Sequence, residues 1–126
     1  MIADFFRRRK ILKSTNPLEL IPIKKLNHEL TQQGRIKLLV PRFKNKVLSN
    51  IFTGTRKSVY FKISLDEKGS KSWLLIDNVK CISDIAKELL TDGQSIDDLE
   101  NSLITFFVKL YNEGFITFKQ LLPSKD

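Results

Sequence analysis

Residues 65–84 read LDEKGSKSWLLIDNVKCISD, and this stretch decides the fold. Leu65, Gly69, Trp73 and Ile76 recur at i, i+4, i+8 and i+11, one face of a helix that begins near Asp66 and ends near Ile76. Asp66 is placed to accept a backbone N–H at that start, and Glu67 suits the positive end of the helix dipole. Asp77-Asn78 closes the helix, because asparagine tolerates the left-handed conformation that helix stops favour. Gly69 and Ser70, small and close to Trp73, predict a tight helix crossing over a buried indole. Cys81 and Asp84 then occupy the two places of a capping box, and Ile82, Ile85, Ala86, Leu89 and Leu90 give the next helix its apolar stripe.

Downstream, Thr91-Asp92-Gly93-Gln94 is a turn, and Ser95 with Asp98 caps a third helix that stops at Gly114. Residues 115–119 suit one short strand. Upstream, residues 26–30 and 35–40 alternate apolar and polar around Gln32-Gln33-Gly34, a hairpin signal, and Pro41 limits its far end. Residues 44–57 read as an irregular basic connection with one helical turn at 47–52. Val59, Phe61, Ile63 and Leu65 then alternate with Tyr60, Lys62 and Ser64, which predicts a half-buried strand over residues 58–64. The expected class is therefore α+β, a winged helix-turn-helix with an N-terminal three-stranded antiparallel sheet followed by three helices.

The third helix carries more apolar surface than one core requires. Stepping about 100° per residue from Leu99, the side chains of Leu99, Leu103, Phe106 and Leu110 fall within about 40° of one direction. With Trp73, Ile85 and Leu89 they make the expected core. Ile104, Phe107, Val108 and Tyr111 widen the apolar arc to about 180°, where a stripe of little more than ~100° suffices. That flank needs a cover: the chain's own terminal segments, a homodimer mate, or a bound peptide.

The pattern Leu65-Asp66-Glu67, Gly69-Ser70, Trp73, Ile76-Asp77, Ile85-Ala86 and Leu89 resembles the PqqD-like family. That family holds the peptide chaperone of pyrroloquinoline quinone biosynthesis and the recognition elements of ribosomally made, modified peptides. The preceding Leu39-Val40-Pro41-Arg42-Phe43-Lys44 is similar to its longer stand-alone variant. The chain departs from the pattern at Asn78, where Gly is usual, and at Cys81, where Thr or Ser caps the helix. The resemblance covers roughly residues 16–118. It implies a basic N-terminal extension over 1–15, a PqqD-like winged-helix domain over 16–122 and a tail over 123–126.

It also implies a function, a non-catalytic module that binds a precursor (leader) peptide and presents it to a modifying enzyme. The peptide would add as a strand beside Val59, Tyr60, Phe61, Lys62 and Ile63 and pack on Ile104, Phe107, Val108 and Tyr111. Backbone groups at Tyr60 and Lys62 would bind it, and Lys62 or Arg56 would attract acidic side chains.

Charge and composition narrow the field further. Residues 1–62 carry 15 Lys/Arg against 3 Asp/Glu, whereas residues 63–126 carry 7 against 11. Such asymmetry suits an anionic partner for the first half, an acidic leader or a nucleic acid. Residues 1–13 form a short basic amphipathic segment suited to a membrane surface or nucleic acid, and expected, at that length, as a frayed or docked terminal helix. A DNA-reading third helix is disfavoured, since Asp97, Asp98, Glu100 and Glu113 outweigh Lys109 there. Nonspecific nucleic-acid binding by a face of Arg35, Lys37, Arg42, Lys44 and Arg56 is the alternative, alongside a docking subunit without a peptide client. One histidine, His28, and one cysteine, Cys81, provide no metal-ligand cluster, and the five glycines stand singly. The expectation is no enzyme activity, no cofactor and no metal. With a lone cysteine, no membrane span and no signal-peptide order, a cytoplasmic protein is expected.

Overall fold

The computed structural model describes residues 2–41 and 60–123, which form an α+β structure of four α-helices and two small antiparallel sheets. In chain order these are α1 (Ile2–Ser14), a 3-10 turn (Pro17–Glu19), β1 (Pro22–Lys24), β2 (Asn27–Leu30), β3 (Ile36–Pro41) and β4 (Tyr60–Ser64). There follow α2 (Glu67–Leu74), α3 (Ile82–Leu89), α4 (Ile96–Asn112), β5 (Ile116–Phe118) and a second 3-10 turn (Lys119–Leu121). The chain divides into two compact units, Met1–Lys25 with Lys71–Asp126, and Leu26–Ser70.

The unit Leu26–Ser70 holds the three-stranded sheet in the order β2-β3-β4. The hairpin predicted around Gly34 is present. Leu30 pairs with Ile36 and Asn27 with Leu39, and Gly34 takes φ +80°, a conformation that costs glycine nothing. The turn closes through Thr31, whose N–H donates to Arg35 O at 2.7 Å. Strand β4 runs antiparallel to β3, with Leu38 opposite Ile63 and Val40 opposite Phe61. Ile36 and Leu38 are fully buried. Ser70 serves the start of β3: its hydroxyl accepts from Ile36 N–H at 2.8 Å and donates to Leu65 O at 3.4 Å.

The half-buried strand expected over 58–64 differs from what forms. Phe61, Lys62, Ile63 and Ser64 are all exposed, and only Leu65 beyond them is buried. An edge strand has a neighbour on one flank only, so alternation along it does not guarantee cover. The basic connection over 44–57 and its helical turn lie outside the described residues, as do Arg42, Lys44, Arg56 and Val59.

The other unit is built on α3, α4 and β5. Helix α3 packs on α4, and α4 packs on β5. Asp66 caps α2 as predicted, accepting from Gly69 N–H at 2.7 Å, and Asn78 takes φ +68° after the helix stop. Cys81 N–H donates to Asp84 Oδ2 at 3.3 Å, and Ser95 Oγ accepts from Asp98 N–H at 3.4 Å to open α4. Trp73, Ile82, Ile85, Leu99, Leu103, Leu110, Ile116 and Phe118 are buried. Lys24 Nζ lies 5.4 Å from the Trp73 ring centroid, and burial of the lysine lowers its pKa.

Two features of this unit differ from the sequence expectation. Phe107 is wholly buried, whereas Phe106 and Leu89 are only half-buried. The buried side chains Leu99, Leu103, Phe107 and Leu110 centre about 40° round the helix from Leu99, so the core faces partly toward the supposed surplus flank. The second is β1, over residues for which no strand is expected from the sequence; it pairs antiparallel with β5, Pro22 opposite Phe118 and Lys24 opposite Ile116. Pro22 breaks helix propensity yet opens a strand, a position where its missing N–H is tolerated.

Candidate functional site

The sequence singled out two surfaces, the edge of β4 and a flank of α4. Leu65 N–H donates to Ile36 O at 2.9 Å, directly beyond the pair formed by Ser64 and Lys37. Alternation in an antiparallel ladder then turns the backbone groups of Ile63 and Phe61 toward β3. Those of Tyr60, Lys62 and Ser64 point to the outer edge, and among the described residues no strand pairs with that edge. Phe61 is 49% exposed and Ile63 38% exposed, on the face shared with Val40 and Leu38. On the other face Lys62 Nζ lies 3.3 Å from Glu29 Oε2, both half exposed, so this ammonium already has an acidic neighbour across the sheet.

The α4 flank is less uniform. Val108 is 37% exposed, and Ile104 and Tyr111 are half-buried. The Tyr111 ring stacks on Phe118, centroids 5.3 Å apart at 28°. Phe107 belongs to the core and offers no surface. The chain's own β5 therefore covers part of the flank at Tyr111, leaving Val108 as its open apolar residue.

A surface not foreseen as a cleft lies near the C-terminal end of α4. A depression of about 480 Å³ is lined by Phe5, Leu12, Tyr111 and Ile116 together with the basic Arg8, Arg9 and Lys25. Its residues come from α1, the start of the β1–β2 connection, α4 and β5, four segments whose convergence leaves no local sequence signal beyond the basic run Arg7-Arg8-Arg9-Lys10. Within α1, Asp4 lies 2.8 Å from Arg7 Nη2 and 3.1 Å from Arg8 Nε. The Arg7 hydrogen bond leads in lowering the Asp4 pKa.

The most perturbed carboxylate lies in the turn after α2. Asp77 Oδ1 accepts from Lys80 N–H at 2.8 Å and from Val79 N–H at 3.0 Å, and these bonds hold its pKa at about 2. Lys80 Nζ reaches Asp77 Oδ2 at 3.1 Å and Glu88 Oε2 at 3.6 Å, which raises the lysine's pKa. This is the chemistry of a turn lock. Among the described residues no group of three or more His, Cys, Asp or Glu side chains is placed to hold a metal ion. Among the same residues no helix is long and apolar enough to cross a membrane. No protein-family model matches the chain, and no curated protein matches it in sequence.

Proposed function

We propose that the chain is a non-catalytic peptide-binding module of winged-helix type, which takes up an extended precursor peptide by strand addition at β4 and presents it to a modifying enzyme. The observation that carries the reading is the outer edge of β4, where the backbone groups of Tyr60, Lys62 and Ser64 face away from β3. In strand addition such groups supply affinity, and side chains on alternate positions supply selectivity. Phe61 and Ile63, both exposed, offer the peptide an apolar contact on one face. The basic surplus of residues 1–62 favours an acidic peptide. Support for the winged-helix type comes from the order of elements, a three-stranded antiparallel sheet followed by α2, α3 and α4, and from the resemblance of residues 65–89 to the PqqD-like pattern.

The test is a selection of displayed random 16-residue peptides on the intact protein, followed by amide hydrogen exchange with the best binder. Protection is expected at Lys62 and Ser64. Lys62→Pro removes one outward N–H without touching the β3 ladder and should weaken binding at least about tenfold with the fold retained. Lys62→Ala should retain most of the affinity. A binder whose affinity survives Lys62→Pro, or whose protection maps away from β4, would refute the proposal.

A further inference from the structure

We infer that the outward face of α1 docks the protein onto an anionic lipid bilayer. Over α1, Phe5, Phe6, Arg9, Lys10 and Lys13 are all exposed, and at about 100° per residue they share one arc of roughly 140°. The two rings are 53% and 60% exposed and contact each other edge to face, with centroids 5.5 Å apart. The arc carries three cations and no acid. The one acid of the helix, Asp4, is turned to Arg7 and Arg8 on the opposite side, where Ile11 is half-buried.

The exposure of the rings is not that of a detached end. Arg7 Nη2 donates to Leu121 O at 2.7 Å, and Leu121 is buried, so the inner side of α1 is held against the C-terminal 3-10 turn. With that side fixed, Phe5 borders the depression beside Tyr111 and Ile116 yet stays more than half exposed, and Phe6 is more open still. Phe6 and Lys13 are separated by about 10 Å along the axis at 1.5 Å per residue. A helix lying on a bilayer could thus bury its aromatic first turn among the acyl boundary while Arg9, Lys10 and Lys13 remain at headgroup level.

Charge complementarity selects the partner. Each cation held near an anionic membrane is worth about fivefold in partitioning, so three of them favour anionic over neutral lipid by about a hundredfold. A nucleic acid would answer the charges too, but it recruits aromatics as open stacking platforms. Here the rings stand edge to face on a convex helix, a shape suited to insertion. The inference rests on α1 alone and does not depend on the strand-edge reading.

The experiment is co-sedimentation of the full chain with vesicles of phosphatidylcholine alone and of phosphatidylcholine with 30% phosphatidylglycerol, at low and at physiological salt. Strong preference for the anionic vesicles is expected, weakening as salt rises. Phe5→Ser with Phe6→Ser should lower partitioning about tenfold, and Lys10→Glu with Lys13→Glu should abolish it, each with an unchanged melting temperature. Equal binding to both vesicles, or full retention by the double phenylalanine variant, would overturn the inference. So would a single-stranded oligonucleotide that binds more tightly than the anionic vesicles and loses its affinity in that same variant.

Discussion

At the scale of single residues, two side chains do work that burial alone does not reveal. Ser70 is 2% exposed and supplies the acceptor for Ile36 N–H, which begins β3 inside the protein. Ser70→Ala keeps the volume nearly unchanged but leaves that N–H without its partner, and an unsatisfied buried donor costs about 1–3 kcal/mol. Urea unfolding should show a loss of that size, and a loss below about 0.5 kcal/mol would mean that another acceptor takes over. Asp77 is the second case. Its pKa of about 2 lies below the ordinary 3.8, so the folded state binds the proton less readily than the unfolded chain. The stabilisation it brings is complete above pH 3.8 and disappears as pH falls through about 2. Carboxyl titration followed by NMR should place its midpoint near 2, whereas a midpoint near 3.8 would show that the turn's backbone bonds do not hold in solution.

Elements are where sequence periodicity and packing diverge. Helix α4 has an apolar arc wide enough to leave its core-facing centre undetermined, and the structure centres it between Leu103 and its neighbours rather than on Leu99. Phe107 thereby enters the core and Phe106 moves to the rim. Leu103 is 1% exposed, so Leu103→Asp would bury a charge without a partner and should unfold the helical unit. Val108→Asp, on the 37% exposed side of the same helix, should cost less than about 1 kcal/mol. Thermal melts of the two variants separate these outcomes, and a similar loss in both would place Val108 under cover in solution.

At the scale of the whole molecule, the ends of the described chain are tied together. Strand β1 pairs with β5 across more than 90 residues of sequence, and Lys119 N–H donates to Ile21 O at 2.8 Å. Gln120 extends this seam with its side chain, accepting from Ile21 N–H at 3.1 Å and donating to Glu19 O at 2.8 Å. Gln120→Ala removes both bonds, each worth about 0.5–1.5 kcal/mol, and should lower stability by roughly 1–3 kcal/mol. In hydrogen exchange the Ile21 amide should lose protection in that variant. Unchanged protection would show that the side-chain bonds do not hold the seam.

Sequence by itself determined the parts whose causes are local. The hairpin follows from alternation about Gly34, the α2 start from Asp66 and the α4 start from Ser95, each a backbone requirement met by a residue within a few positions. Only the tertiary structure decided which way α4 faces, since periodicity sets the width of an apolar arc but not the direction from which a neighbour arrives. It alone decided that Phe61 and Ile63 stand exposed on an edge, because alternation is the same whether one flank or two are covered. The β1–β5 pair and the cleft between α1 and α4 were likewise beyond local reading. A three-residue strand is too short for a period, and the contacts that create it come from the far end of the chain.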